Sequence, residues 1–124
     1  MKRLLGCLGL LGSGGIALAF SGAWPDLPSS GFIVGRTATI GDVKAGNAAF
    51  AAIGKNGEHL SKPVSMDIPQ YALHIEGNKQ APVIVIQAED TPAGKTIGYK
   101  LITGPGLGVC PLAEMRLLGT KKPP

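Results

Sequence analysis

His74 and Glu76 stand two residues apart in a stretch where polar and apolar residues alternate. That spacing puts an imidazole and a carboxylate on one face of a strand, where they can share a proton or a ligand. The competing reading is a solvated sheet face, which uses the same alternation for hydrogen bonding to water. His59 is the other of the 2 histidines, and neither stands in the His/Cys spacing of a structural zinc site. No metal and no cofactor is therefore expected. Ser61, Ser65 and Cys110 lack the elbow or flanking signature of a nucleophile. Asp67, Glu89, Asp90 and Glu114 could act as acid and base, but nothing in their spacing selects a pair.

Other motifs exclude chemistry. Ala93-Gly94-Lys95-Thr96 imitates the end of a phosphate-binding loop, yet position 89 is Glu where a second Gly belongs. The segment after Thr96 reads as a strand, whereas phosphate cradling needs a helix N-terminus. Nucleotide binding is not expected. Cys110 lies among Gly108, Val109 and Pro111, an apolar setting for a buried, inert thiol.

The elements that must position these residues begin after a distinctive N-terminus. Lys2 and Arg3 precede a stretch, 4–25, without a charged side chain, and Asp26 is the first acidic residue. Residues 1–23 thus read as a hydrophobic helix serving as a signal peptide or a transmembrane anchor, with the body of the protein across the membrane. Ser21 and Ala23 suit cleavage before Trp24, and six glycines between Leu4 and Ala23 weaken a long helix. Retention has its own support, because Gly9, Ser13, Ala17 and Ser21 form a small-residue stripe for helix packing. Leu4-Leu5-Gly6-Cys7 resembles the lipobox of bacterial lipoproteins in residue type, but six preceding residues leave no room for an apolar export region.

Lys2 and Arg3 are two of twelve basic residues, so residues 24–124 carry ten against eight acidic ones, a net charge of +2. That balance gives no electrostatic case for nucleic acid. After a linker at 24–31, residues 32–119 read as a small β domain, and 120–124 as a basic tail. Extended stretches are expected at Phe32–Val34, Arg36–Ile40 and Val64–Ile68, with a turn at Asn56-Gly57. Further strands are expected at Tyr71–Glu76, Val83–Ile86, Ile97–Leu101, Leu107–Cys110 and Met115–Leu118, with Glu89–Gly94 as a polar turn.

The fold class expected is mainly β, a small antiparallel barrel or sandwich behind the N-terminal helix. The five strands from Tyr71 to Leu118, the last two joined by a bend at Pro111, resemble the strand rhythm of SH3-like small barrels over under half the chain. Peptide-binding members of that group use clustered aromatics; only Tyr71 and Tyr99 stand here, so polyproline recognition is not implied. With no catalytic constellation, the expected role is a non-enzymatic exported or anchored envelope protein, on the periplasmic or extracellular side of the inner membrane. It would act as a binding or scaffold subunit for a protein partner through Ser65, Asp67, Tyr71, His74 and Glu76, and touch membrane through 4–23 if uncleaved. Two alternatives stay open: an inhibitor or immunity-type protein against an exported enzyme, and a small metal-dependent or hydrolytic enzyme using His74 and Glu76.

Overall fold

Runs of β-branched and aromatic residues separated by glycine-containing turns build a meander of antiparallel strands. A computed structural model describes residues 23–29 and 32–124. The strands are β1 (Lys62–Pro63), β2 (Gln70–Glu76), β3 (Lys79–Thr91), β4 (Gly94–Leu101), β5 (Leu107–Pro111) and β6 (Met115–Gly119). They form one antiparallel sheet in the order β5-β4-β3-β2-β6, with β1 paired to the far end of β3. Gly77 supplies the positive φ, 62°, that the tight β2–β3 turn needs. Pro92 and Ala93 turn β3 into β4, where Thr91 Oγ1 accepts the Ala93 N–H at 3.1 Å. Gly94-Lys95-Thr96 consequently opens a strand rather than a helix.

The sheet does not close into the expected barrel. β5 and β6 each pair on one side only, with β4 and β2 respectively. Their junction explains this: Pro111 starts a 3-10 turn, Leu112–Glu114, that takes the chain out of the ladder between them. The expected N-terminal hydrophobic helix, and with it Gly9, Ser13, Ala17 and Ser21, lies outside the described residues. Among the described residues the α-helix is α1 (Ile40–Lys44), and no helix is long and apolar enough to cross a membrane.

β3, at 13 residues, is the spine. Its register with β4 slips between Val85 and Gln87, a bulge that bends the strand and increases its twist. Side-chain parity changes there. Val83, Val85 and Ala88 join Ala72, Ile97, Tyr99, Cys110 and Met115 on one face, while Ile84 and Ile86 join Tyr71 on the other. Gln87 and Glu89, each 1% exposed, are thereby turned away from the first cluster.

The segment ahead of β1 departs from the expected strands at Phe32–Val34 and Arg36–Ile40. It runs as irregular chain around α1, with one isolated bridge, Ile53 to His59, across the Asn56-Gly57 turn. Its backbone finds side-chain partners instead of a ladder. Glu89 accepts from the Ala38 N–H at 2.9 Å, from the Gln87 amide at 2.8 Å and from the Ser61 hydroxyl. Gln87 Oε1 accepts from the N–H groups of Ala49 (2.9 Å) and Phe50 (3.3 Å), and its amide donates to the Phe50 carbonyl at 2.7 Å. Gly98 makes room for this packing, since a Cβ there would lie 2.7 Å from Gln87 Oε1 and 3.0 Å from the Ala49 Cβ. Glu89, expected in a polar turn, is therefore a buried member of β3.

Val64–Ile68 is likewise not a strand beyond the Val64 N–H bond to the Ala88 carbonyl, 3.0 Å. The period-two pattern nevertheless holds: Val64, Met66 and Ile68 pack on the first core, and Ser65 and Asp67 face solvent. The linker is pinned as well. Trp24 meets Tyr71 edge-on at 5.5 Å, Leu27 and Phe32 pack beside it, and Asp26 pairs with Lys122 at 2.7 Å.

Removing the Glu89 carboxyl leaves the Ala38 N–H, the Ser61 hydroxyl and one N–H of the Gln87 amide without an acceptor. Glu89→Ala is expected to destabilise the fold by about 3 kcal/mol or more, and Asp90→Ala, at the exposed next position, by about 0.5 kcal/mol or less. Urea unfolding of the two variants checks this; equal midpoints would contradict it.

Candidate functional site

The residues singled out in the sequence separate in space. Ser65 and Asp67 are exposed on the segment leading to β2. Tyr71 is 1% exposed on the opposite face and donates its hydroxyl to the Pro25 carbonyl, so it stands inside the fold rather than on a contact surface. Glu76 is exposed at the end of β2, opposite Lys79. Tyr71 and His74, expected among the contact residues, do not lie on an open strand edge: Tyr71–His74 pair with β3 on one side and β6 on the other. Their backbone groups have no ladder left to offer.

His59 stays apart from His74, with its Nδ1 2.9 Å from the Thr37 hydroxyl. His74 instead finds partners distant in sequence. Its Nε2 lies 3.0 Å from Glu114 Oε1, and its Nδ1 lies 3.4 Å from the Tyr99 hydroxyl, the two rings 5.1 Å apart. Cys110 completes the group: donor atoms of His74, Cys110 and Glu114 all lie within 4.8 Å of one another. Two strands, β4 and β3, stand between β5 and β2 in the sheet, so they meet only because the sheet curls over Tyr99. Gly108 permits this curl, since a Cβ there would collide with the Tyr99 ring.

The electrostatics follow from burial. Burial, with the Glu114 charge second, pushes the Cys110 thiol up from 9.0 to about 11. Burial also raises the Tyr99 phenol, helped by the charges of Cys110, Glu76 and Glu114. Exposure changes across the group, from Cys110 at 4% to the Glu114 side chain at 43%. The geometry offers a half-open imidazole–carboxylate pair against a thiol.

A concavity of about 310 Å³ lies apart from this group, between residues 33–36 and 63–68, with Gln87, Ala88 and Glu89 in its lining. Arg36 at its edge holds Asp42 by two bonds, 3.0 and 3.2 Å, and with the Thr39 N–H draws that carboxyl down to about 2. The same Asp42 caps α1, accepting from the Thr39 N–H at 2.8 Å. Gln87 and Glu89 are already committed to the covering loop, so the concavity offers little polar chemistry of its own.

Comparison of the chain with protein-family models, curated proteins and solved structures finds no match. Function is therefore read from the chain's own sequence and geometry. The sequence marked His74 but not Glu114 or Tyr99 as its neighbours; the strand rhythm carries no signal for the curl that joins them.

Because its folded-state pKa is raised, Cys110 favours the fold fully below pH 9.0, and this contribution falls away as pH rises toward about 11. At about pH 8, iodoacetamide is expected to leave Cys110 unlabelled in a folded Cys7→Ser chain and to label it fully in urea. Equal labelling rates in the two states would contradict the burial described.

Proposed function

We propose that this protein is a non-enzymatic binding module of the cell envelope, exported or membrane-anchored through its N-terminal segment, that engages an extended segment of a protein partner. The observation that carries this reading is the open edge at β5. Leu107 and Val109 alternate along it, 37% and 48% exposed, beside backbone groups that pair only toward β4. An added strand would complete the ladder and cover both side chains. β6 is the other edge, with Leu117 39% exposed. β5 is the better candidate because it presents two apolar side chains in one row.

The SH3-like reading of the C-terminal half belongs to this proposal. Five strands in the order β5-β4-β3-β2-β6, with a 3-10 turn between the last two, support it. The open seam between β5 and β6 gives such a half-barrel the edges that closure would remove. The export assignment rests on Lys2, Arg3, the uncharged stretch that follows and Asp26. On this reading the pinned Trp24–Leu27 segment holds the body of the domain close to its point of attachment or cleavage.

Under mild extraction from its native host, the protein is expected to co-purify with a membrane-associated partner. Val109→Lys is expected to lower recovery of that partner by roughly tenfold, since edge lysines oppose strand addition. Recovery of the unaltered protein only as a free monomer would overturn the proposal.

A further inference from the structure

The edge-binding role makes no use of the group formed by His74, Cys110 and Glu114. We infer that His74, Cys110 and Glu114 form a site for one borderline-soft divalent metal of the zinc class, with a fourth position open to solvent. Each ligand comes from a different element: β2, β5 and the 3-10 turn. A tetrahedral zinc with bonds of about 2.0–2.3 Å needs its ligand atoms roughly 3.3–3.8 Å apart. All three donor atoms lie within 4.8 Å, and His74 Nε2 and Glu114 Oε1 are 3.0 Å apart, so small side-chain rotations bring the set to that spacing.

The donor types choose the metal. A thiolate and an imidazole favour zinc or cobalt over magnesium or calcium, which prefer all-oxygen sites. Tyr99 fixes the imidazole, because its hydroxyl lies near Nδ1 and leaves Nε2 directed at Glu114. On binding, the metal takes the place of the Cys110 thiol proton, which passes to solvent, and of the Nε2 proton that His74 directs at Glu114; Nδ1 carries the ring proton instead and donates it toward the Tyr99 oxygen, and the His74–Glu114 contact separates. Cys110 anchors the buried end, and the half-exposed Glu114 carboxylate faces the side from which an ion arrives. The open position gives one coordination site for water or a side chain of a bound protein.

Titration of the full-length chain with Co2+ tests it directly. The expected result is one equivalent bound, with a near-ultraviolet sulfur-to-cobalt charge-transfer band and the intense visible bands of a four-coordinate ion, both removed by Zn2+. Cys7→Ser and His59→Gln are expected to leave the spectrum intact. Cys110→Ser should abolish the charge-transfer band, and Glu114→Gln should weaken binding roughly tenfold or more. Glu114 is half-exposed, so its variant tests the site even if Cys110→Ser does not fold; thermal unfolding of the metal-free variants checks that point. No charge-transfer band, the weak spectrum of a six-coordinate ion, or a band lost in Cys7→Ser but retained in Cys110→Ser would overturn the inference.

Discussion

Two polar side chains buried on the central strand govern how the chain arranges itself around its sheet. An amide and a carboxyl without water are costly unless their acceptors and donors are engaged. Gln87 and Glu89 meet that demand with the backbone of Ala38, Ala49 and Phe50 and with the Ser61 hydroxyl. The dependence is mutual. Residues 32–61 have little ladder of their own, and the strand's side chains serve as the acceptors that a neighbouring strand would otherwise supply. The bulge after Val85 makes this possible by turning Gln87 and Glu89 toward the loop and Ala88 toward the apolar core.

That arrangement also decides what is left uncovered. The loop and the Trp24–Leu27 segment occupy the face of Tyr71, Ile84 and Ile86, while Val64, Met66 and Ile68 cover part of the other. The remainder of the second face curls around Tyr99 and carries His74, Cys110 and Glu114. Pro111 has two consequences. It ends β5 beside Cys110, and it starts the 3-10 turn that holds Glu114 near His74 while keeping β5 and β6 apart. The open seam between β5 and β6 and the placing of Glu114 beside His74 thus both follow from the turn at Pro111.

The five C-terminal strands were legible because alternation at Tyr71–Glu76 and Ile97–Leu101, the β-branched run Val83–Ile86 and the intervening glycine turns are local signals. Residues 32–40 were not legible, since an extended-looking run says nothing about whether its partner is a strand or a side chain. Glu89 was misplaced for a related reason: next to Asp90 and Thr91 it reads as turn, and only the partners supplied by Ala38 and Ser61 offset the cost of its burial. Within the candidate site, His74 was visible from its spacing to Glu76. Its partner Glu114, 40 residues away, depends on the curvature of the sheet, which no local pattern records.

Native-state hydrogen exchange at the Ala38 and Ala49 amides tests the central dependence most directly. Both lie in irregular chain, and both donate to side chains of β3 at 2.9 Å. If Gln87 and Glu89 hold the loop as described, these two amides exchange as slowly as those in the middle of β3, far more slowly than the amide of Lys55, an exposed turn residue. Exchange of Ala38 and Ala49 at the rate of Lys55, with β3 still protected, would contradict the account.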